Sequence, residues 1–297
     1  MQPCSLCPRG CNIQRDSAAG RCNETYTMRI ARAAPHLWEE PCLSGTQGSG
    51  TVFFSGCPLG CIFCQNQNIS LGGAGQPTTQ KDLIDIFINL QNQGVHNINL
   101  VTATHFWPQV LAAVKKARLQ GLYLPIVWNT GGYESINAIQ KLAGQVSIWL
   151  TDLKFYSPQL SAQLAQASDY FAVASAAAQR MCALSGPPLL DSDGIMQRGT
   201  IIRLLVLPRQ REDAKKLLHW MAQNLPKDGF LLSLMSQYTP PPGSKLAPPL
   251  NRRISTYEYN DVVDTAMQLG LINGFMQQRS SAKEEYTPPF DGTGLPK

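Results

Sequence analysis

Short apolar runs alternate with amphipathic segments along most of this 297-residue chain. The first run, GTVFFSG at residues 50–56, predicts a short buried strand. Residues 78–94 follow, with apolar positions at helical spacing that form one stripe: Leu83, Ile84, Phe87 and Leu90. Thr79 lies at the start of this segment and Asp82 three residues later, a pairing typical of a helix N-cap. The regular part of the chain therefore begins with a strand and then a helix.

The same order of strand and helix repeats through the middle of the chain. Further apolar runs predict strands at residues 96–102, 124–130, 146–152, 200–207 and 230–238. Other segments predict helices at residues 108–121, 135–142, 157–184, 211–225 and 256–269. Such alternation indicates parallel strands joined by right-handed helical crossovers. About six units are too few for a closed eight-fold barrel of roughly 250 residues. The sequence therefore predicts an α/β fold with an open, partial (β/α)6 barrel.

Composition divides the chain into three parts. Residues 1–46 are rich in cysteine and poor in strand or helix periodicity, and so short a segment cannot build its own core. They predict a small metal-binding module. Residues 47–240 carry the predicted barrel, and residues 241–297 form an extension with one helix and a proline-rich tail.

Charge and cysteine content narrow the function classes. The formal net charge is +5, but the basic residues are scattered rather than clustered, which does not favour nucleic-acid binding. No apolar stretch is long enough to span a membrane, and the N-terminal MQPCSLCPRGC lacks the apolar core of a signal peptide. We therefore expect a cytoplasmic protein. Thiols stay reduced in that compartment, so the nine cysteines point to metal binding or catalysis before disulfides.

Three cysteines follow the first predicted strand at a spacing that can hold an iron–sulfur cluster. Cys57, Cys61 and Cys64 are spaced C-x3-C-x2-C in the loop SGCPLGCIFCQNQ. Such clusters normally take four cysteines, so three on one loop leave the fourth iron of a cubane open to an external ligand. Phe63 places an aromatic ring beside this loop. The alternative is a zinc knuckle, although no fourth Cys or His lies near the loop in sequence.

A second group of cysteines precedes the predicted barrel. Cys4, Cys7, Cys11 and Cys22 are spaced C-x2-C-x3-C-x10-C, and four thiolates complete either a [4Fe–4S] cluster or a tetrahedral zinc site. Neither spacing nor composition decides between the two metals. Cys42 is a candidate substitute for one of these four, or a residue near the substrate.

The cluster loop, the second strand and the fourth strand resemble those of the radical S-adenosylmethionine (SAM) superfamily. The stretches FFSGCPLGCIFCQN, NINLVTATH and TDLK are most similar to those of pyruvate formate-lyase activating enzymes, and the resemblance covers roughly residues 50–240. It implies that SAM chelates the open iron of the [4Fe–4S] cluster. Reductive cleavage of SAM then gives methionine and a 5′-deoxyadenosyl radical, which abstracts hydrogen from a substrate. In such enzymes the cofactor carries the chemistry and the protein positions it.

The resemblance also assigns cofactor-binding positions at the strand ends. Most of the superfamily has a glycine-rich stretch after the second strand that binds the methionine amino group. Thr102 and Thr104 stand there in this chain, so backbone carbonyls and hydroxyls would do that work. Asn129 and Thr130 end the third strand. Related enzymes carry Asp where Asn129 stands, as part of a small cation site, so Asn129 keeps an oxygen ligand but loses a charge.

Three charged residues complete the predicted cofactor site. Asp152 and Lys154 end the fourth strand; Lys154 is a partner for the methionine carboxylate or, alternatively, for Asp152 in a buried ion pair. Arg203 interrupts an apolar strand, where a charge is costly without a partner. By resemblance it faces the carboxylate or ribose of the cofactor, the alternative being a structural ion pair. Gln237 is a weaker candidate, and a lone His at a strand end, such as His105, is more often structural than catalytic.

These features predict a radical SAM oxidoreductase acting on an unidentified substrate. The predicted barrel has no second large domain over its mouth, which favours a protein or peptide substrate, as in glycyl-radical activation. A reductant such as flavodoxin or ferredoxin is then required. Glycyl-radical activases place extra clusters after the SAM loop, whereas the N-terminal cysteines precede it here. Two other functions stay open: an iron–sulfur electron-transfer protein without SAM cleavage, and a zinc-stapled binding module.

Overall fold

One large sheet runs through the protein. The computed structural model describes residues 3–277 and 287–296. Within them the strands are β1 (Arg29–His36), β2 (Ser49–Phe54), β3 (Gln76–Pro77), β4 (Ile98–Val101), β5 (Ile126–Thr130), β6 (Ile148–Asp152), β7 (Leu189–Leu190), β8 (Met196–Leu205), β9 (Leu231–Met235) and β10 (Gly274–Met276).

Helices connect the strands and cover the sheet. They are α1 (Pro41–Ser44), α2 (Gln67–Ser70), α3 (Gln80–Asn92), α4 (Trp107–Leu119), α5 (Ile136–Leu142), α6 (Pro158–Ala165), α7 (Tyr170–Ser185), α8 (Arg211–Asn224) and α9 (Thr256–Gln268), with a 3₁₀ turn at Thr104–Phe106. Within residues 3–277 and 287–296, none of the helices has the length and apolar character needed to cross a membrane.

The order of the strands confirms the predicted α/β fold. Along the sheet they run β10-β9-β8-β6-β5-β4-β2-β1-β3, and β7 pairs with β8. Neighbouring strands from β2 to β10 along this path are parallel. A helix lies in each connection between these strands, as a right-handed parallel arrangement requires. The parallel part contains all six predicted strands.

Three strands that were not predicted from the sequence, β1, β3 and β10, extend the sheet at its edges. β1 pairs antiparallel with β2, and β10 pairs parallel with β9. The sequence of β1, RIARAAPH, contains three alanines, a residue depleted from strands, so its pattern gave a weak signal. Residues 29–36, inside the cysteine-rich segment 1–46, therefore belong to the main sheet. The division of the chain into three parts stays a prediction.

The central strands carry apolar side chains on both faces of the sheet and polar side chains at their carboxyl ends. Trp128 and Trp149 pack with α3 and α4 residues on one face of the sheet. The opposite face of the same strands is apolar at its centre, where it carries Val127, Ile148, Leu150 and Ile201. Since side chains two residues apart share a face, the next positions on that face toward the carboxyl ends are Asn129, Asp152 and Arg203. The fold thus gathers polar groups at one edge of an otherwise apolar surface.

Local signals explain where two of the helices begin and end. Thr79 and Asp82 form a reciprocal capping box at the start of α3, as predicted. The segment 157–184, predicted as one helical stretch, contains two helices instead. Gln166 ends α6 in the left-handed conformation with φ of +50°, so the chain turns before α7 begins.

The C-terminal tail lies along β1. Ala33 donates its backbone N–H to Thr293 O at 2.9 Å, and Gly292 donates to Ala31 O at 3.1 Å. The ring of Phe290 meets Phe53 edge-on, with 5.3 Å between ring centroids. The sequence PPFDGTG therefore docks as an extended segment.

Glu258 anchors the start of α9 through several charge-assisted hydrogen bonds. Its carboxylate accepts from the backbone N–H groups of Ser255 at 2.8 Å and Arg209 at 2.7 Å. The guanidinium of Arg252 donates to both oxygens at 2.8 Å. Arg252 and these N–H groups hold the pKa of Glu258 well below its ordinary value.

We expect Glu258→Gln to lower the free energy of unfolding by about 2 kcal/mol near neutral pH, because bonds to a carboxylate are stronger than bonds to an amide. With a lowered folded-state pKa, this stabilisation is complete above the ordinary glutamate pKa of about 4.3 and declines as the pH falls below it. Denaturant unfolding followed by circular dichroism at about pH 7 and about pH 3 measures both effects.

The matched control for Glu258→Gln is Asp85→Asn. It breaks the exposed Lys81–Asp85 pair and should cost less than about 0.5 kcal/mol. Equal losses in the two variants, or a Glu258→Gln deficit that persists at acid pH, would contradict the assignment.

Candidate functional site

The three-cysteine loop leaves the carboxyl end of β2 and turns back over the sheet. Cys61 is 9% exposed, and Cys57 and Cys64 are half-buried. Cys64 donates its backbone N–H to Cys61 O at 3.1 Å, and Ile62 donates to Leu164 O at 3.0 Å. These bonds fix the loop against the end of α6, so the three thiols sit on an ordered turn.

The loop thiols and the polar strand ends line one cavity of about 210 Å³. Its lining includes ten predicted site residues: Cys57, Cys61, Phe63, Cys64, Thr102, Asn129, Thr130, Asp152, Lys154 and Arg203. Gln237, the weaker candidate, also lines it. The structure therefore brings together residues that are distant in the sequence and end four different strands.

Arg203 is the centre of the polar network in this cavity. Its Nε donates to Asp152 Oδ1 at 2.7 Å and its Nη2 donates to Asn129 Oδ1 at 2.6 Å. Its Nη1 lies 3.5 Å from Glu39 Oε2. Burial opposes the charge on Arg203, but Asp152 and the neighbouring glutamates outweigh burial and raise the pKa of the guanidinium. Arg203 is thus a fixed cation paired with Asp152 and Glu39, and its contact with the carboxylate or ribose of the cofactor stays a prediction.

Asp152 also pairs with Lys154, two residues further along the chain. Burial raises the pKa of Asp152, but Arg203 and Lys154 outweigh it and hold that pKa below the ordinary value. Burial lowers the pKa of Lys154, and Asp152 more than reverses that effect. The ion pair considered for Lys154 is therefore present. Contact of Lys154 with a cofactor carboxylate stays a prediction.

Thr102 has an unusual backbone conformation at the end of β4. Its φ is +61°, in the left-handed region that β-branched residues rarely adopt. Its backbone N–H donates to Asn129 O at 2.8 Å, which holds the residue in place. Such strain is found most often at functional sites. Thr102 occupies a conformation suited to glycine, beside the predicted cofactor.

The hydroxyl of Thr104 does not reach the cavity. Thr104 is buried and donates to Glu134 Oε1 at 2.5 Å, an atom that also accepts from Thr130 at 2.7 Å and from Trp128 at 3.1 Å. The hydroxyl hydrogen of Thr104 therefore serves Glu134, and cofactor binding through the backbone of Thr104 stays a prediction. Glu134 was missed by sequence reasoning, since GGYES gives no sign of a buried carboxylate.

His105 contacts the start of the cysteine loop without lining the cavity. It is buried, and its Nε2 lies 2.7 Å from Ser55 O, two residues before Cys57. Burial lowers the pKa of His105 to about 3, so the ring is neutral at ordinary pH. It does not line the 210 Å³ cavity. The structure favours the positioning role of His105 over a catalytic one.

The loop residues fit an iron–sulfur cluster held at three corners. Burial raises the pKa values of Cys61 and Cys64, so these thiols need a bound metal to become thiolates. Among the residues that the structure describes, Cys57, Cys61 and Cys64 are the only Cys or His residues that line the cavity. They would hold a cluster at three corners and leave its fourth iron without a protein ligand.

The N-terminal cysteines face one another and pack on the cluster loop. Burial, and repulsion from Cys22 and Cys11, raise the pKa of Cys7 to about 12, and Cys22 interacts in the same way with Cys4 and Cys11. A Cβ atom on Gly20 would lie 3.6 Å from Cys22 Sγ and 3.7 Å from Cys11 Sγ. No group of three or more His, Cys, Asp or Glu side chains in the described residues is arranged to hold a single ion.

Two contacts join this N-terminal module, residues 3–28, to the cluster loop. Arg9 donates from Nε to Pro58 O at 2.8 Å and from Nη2 to Ala165 O at 2.8 Å. The carbonyl of Cys22 faces Gly56, where an added Cβ would come within 2.5 Å of it. The two cysteine groups are therefore structural neighbours.

The remaining cysteines lie in the core. Cys42 packs with Leu43, Val127 and Ile148, apart from the N-terminal thiols. Burial and the nearby Glu40 raise its pKa to about 12, and its role stays a prediction. Cys182 is buried in α7, among the residues that pack under α8.

A second cavity, of about 170 Å³, adjoins the first. The two share seven lining residues: Gln65, Asn66, Val101, Asn129, Arg203, Met235 and Gln237. The second cavity is also lined by Glu39 and Glu40. Glu39 accepts from Asn129 Nδ2 at 3.3 Å. Sequence reasoning missed both glutamates, because the segment EEP before α1 lies far from every predicted strand end.

Comparisons with known proteins point to an iron–sulfur domain. Residues 44–168 match the sequence model of a family described as "4Fe-4S single cluster domain", a stretch that includes the cysteine loop. The chain is also similar to "Uncharacterized protein MJ0674" of Methanocaldococcus jannaschii, at 27% identity over 278 residues, which cover 90% of this chain and 75% of that protein.

Two solved structures are similar over most of this chain. Methylornithine synthase (PylB) has a TM-score of 0.48 and 16% identity, and covers 72% of this chain and 59% of its own. SuiB of Streptococcus suis, bound to S-adenosylmethionine, has a TM-score of 0.48 and 13% identity, and covers 75% of this chain and 48% of its own. The chain thus spans between about half and three fifths of the length of these structures.

Gly56→Ala should disrupt the junction between the N-terminal module and the cluster loop. Gly56 has φ of +80°, and a Cβ there would lie 2.5 Å from the Cys22 carbonyl oxygen. We expect the free energy of unfolding to fall by more than about 2 kcal/mol, because the backbone is strained and Cys22 is displaced.

Gly60→Ala is the matched control, because Gly60 is also left-handed but has nothing within 4 Å of an added Cβ. It should cost only about 1 kcal/mol. Thermal unfolding compares the two, and similar melting temperatures would refute this packing.

Proposed function

We propose that this protein is a radical SAM enzyme. The observation that carries the proposal is the cavity in which Cys57, Cys61 and Cys64 face Asn129 and Lys154 with no fourth cysteine or histidine in its lining. Three thiolates leave one iron of a [4Fe–4S] cluster for an external ligand. The match of residues 44–168 to a 4Fe-4S domain supports the cluster.

The residues of the cavity suit the parts of SAM. A [4Fe–4S] cluster held by Cys57, Cys61 and Cys64 would supply the electron for reductive cleavage of the C5′–S bond of SAM, the chemistry that provides a 5′-deoxyadenosyl radical for hydrogen abstraction. Lys154 would supply a positive charge for the methionine carboxylate, and Asn129 and the backbone of Thr102 would supply acceptors for its amino group. Phe63 packs edge-on against Phe155 and Tyr238, where it would help to exclude water from the cysteine loop. Arg203 keeps Asp152 and Asn129 oriented toward the cavity.

The reaction class, the cellular location, the electron donor and the substrate class are part of the same proposal. We infer an oxidoreductase of the cytoplasm that takes electrons from a donor such as flavodoxin or ferredoxin. A protein or peptide substrate, as in glycyl-radical activation, is supported by a groove of about 360 Å³ at the cavity mouth. The groove shares Gln65, Thr287 and Pro288 with the second cavity. An extended chain lying in the groove would reach both cavities.

We infer that Cys4, Cys7, Cys11 and Cys22 hold a second [4Fe–4S] cluster, with zinc as the alternative. Their mutual repulsion is relieved when a metal neutralises the thiolates. The contact between Cys22 and Gly56 places this module directly behind the cluster loop. The same proximity favours the second candidate function, an electron-transfer protein that uses both cysteine groups without cleaving SAM.

Release of 5′-deoxyadenosine separates the two functions. Anaerobically reconstituted protein, given dithionite and SAM, should release it, and Cys61→Ala should abolish the release. Cys182→Ala removes another buried thiol, one that does not line the cavity, and should retain activity. Chromatography measures the product, and electron paramagnetic resonance shows whether a reduced cluster is present. An intact cluster without product would reject radical SAM chemistry in favour of electron transfer.

Metal content tests the N-terminal module. The triple variant with Cys57, Cys61 and Cys64 changed to Ala should keep about four irons per chain after reconstitution if the other four cysteines hold a cubane. Adding Cys7→Ala to that variant should remove them. One zinc per chain in place of iron would identify a zinc site instead.

A further inference from the structure

Glu40 is a buried carboxylate that the proposed cofactor chemistry does not use. It is 9% exposed, precedes α1 and lines the second cavity. The Ser233 hydroxyl hydrogen-bonds to it, but its Oε2 atom has no hydrogen-bond partner among the residues that the structure describes. A buried carboxylate oxygen left in this way is costly. The fold therefore keeps a hydrogen-bond acceptor beside this cavity that the protein itself does not satisfy.

The cations around the two cavities are already bonded to other carboxylates. Arg203 donates to Asp152 and lies 3.5 Å from Glu39. Lys154 pairs with Asp152. Two cations thus pair with two carboxylates, Asp152 and Glu39, and Glu40 takes part in none of these ion pairs. An ionised Glu40 therefore adds a negative charge that no cation among the described residues pairs with directly.

The rest of the cavity wall suits an organic cation. Aromatic rings line it beside Glu40, contributed by His36, Trp38, Phe53 and Phe275. Carboxylates next to aromatic faces are a combination that binds ammonium and guanidinium groups.

We propose that Glu40 binds the ammonium or guanidinium group of a cationic substrate. This rests on the proposed function, because it assigns the cysteine cavity to the cofactor. Asn129 and Arg203 belong to the lining of both cavities, so a molecule held by its cation at Glu40 extends along this shared wall toward the cysteines. Glu40 is then the specificity-determining residue, and the substrate class is an aliphatic amine or guanidine.

Binding of small probes to the holoprotein tests this without knowledge of the natural substrate. The probes are n-butylammonium and n-butylguanidinium, with the neutral N-butylurea for comparison, titrated calorimetrically into reconstituted, oxidised protein with SAM present. The two cations should bind at least tenfold more tightly than the urea. Glu40→Gln should abolish that preference while the dissociation constant for SAM stays within twofold.

Glu134→Gln is the matched control for Glu40→Gln. Glu134 is also buried with one unpartnered oxygen among the described residues, but it does not line either cavity. The glutamine oxygen can still accept the hydrogen bonds from Thr104, Thr130 and Trp128, so the variant should fold and bind the cations like the parent protein.

A pH series on the unaltered protein keeps the test valid if Glu40→Gln fails to fold. Burial raises the pKa of Glu40 to about 7 despite the opposing effect of Arg203. Three neighbouring groups do not change charge over this range: Arg203 stays protonated, Cys42 stays a thiol, and burial holds the pKa of His36 at about 4. Burial also raises the pKa of Glu39 despite its contact with Arg203, so Glu39 and Glu40 are the two groups beside this cavity that gain negative charge as the pH rises. Affinity for n-butylammonium should therefore rise at least threefold as the pH increases from about 6 to about 8.

Three results would overturn the proposal. Equal affinity for n-butylammonium and N-butylurea would show that the site has no preference for a cation. An affinity for n-butylammonium that does not change with pH would show that Glu40 is not the source of such a preference. A loss of SAM affinity in Glu40→Gln as large as the loss of amine affinity would assign Glu40 to the cofactor's sulfonium instead. Failure to release 5′-deoxyadenosine with amine binding intact would reject the cofactor chemistry and leave the cation site standing.

Discussion

The buried guanidinium of Arg203 is the interaction on which the site depends. An arginine inside an apolar strand carries a large desolvation cost unless every direction around it offers an acceptor. Asp152 from β6, Asn129 from β5 and Glu39 from the segment before α1 provide those acceptors. Because these partners come from separate elements, satisfying one cation fixes three strand ends and a connecting segment at once. Neutralising Arg203 would leave buried carboxylates facing one another.

The cysteine loop depends on support from both sides. His105 and Ser55 hold its start, and Ile62 is bonded to the end of α6. On the outer side Arg9 and the Cys22 carbonyl press against Pro58 and Gly56, so the N-terminal module covers the loop. Metal binding in that module would therefore stabilise the loop as well, because both share one packed interface.

In our proposal the cysteine cavity binds the cofactor and the second cavity recognises the substrate, and the two cavities share one wall. Asn129 and Arg203 face both spaces, whereas the thiols face one and Glu40 faces the other. Asp152 and Lys154 form an ion pair on the cysteine side. On the other side, no cation among the described residues forms an ion pair with Glu40. A ligand that spans both spaces would meet different electrostatic environments at its two ends.

The strand and helix order, the cysteine loop and most of the strand-end residues followed from the sequence, because each leaves a local signal. Alternating apolar runs mark parallel strands, and their carboxyl ends meet at one edge, so Asn129, Asp152 and Arg203 could be grouped in advance. Contacts between distant segments leave no such signal. Glu39, Glu40 and Glu134 become buried carboxylates only when the chain folds around them, and the hydroxyl of Thr104 goes to Glu134 rather than to the cavity. The strand β1 and the docking of residues 3–28 on the loop likewise arise from long-range packing, whose energy belongs to no single stretch of sequence.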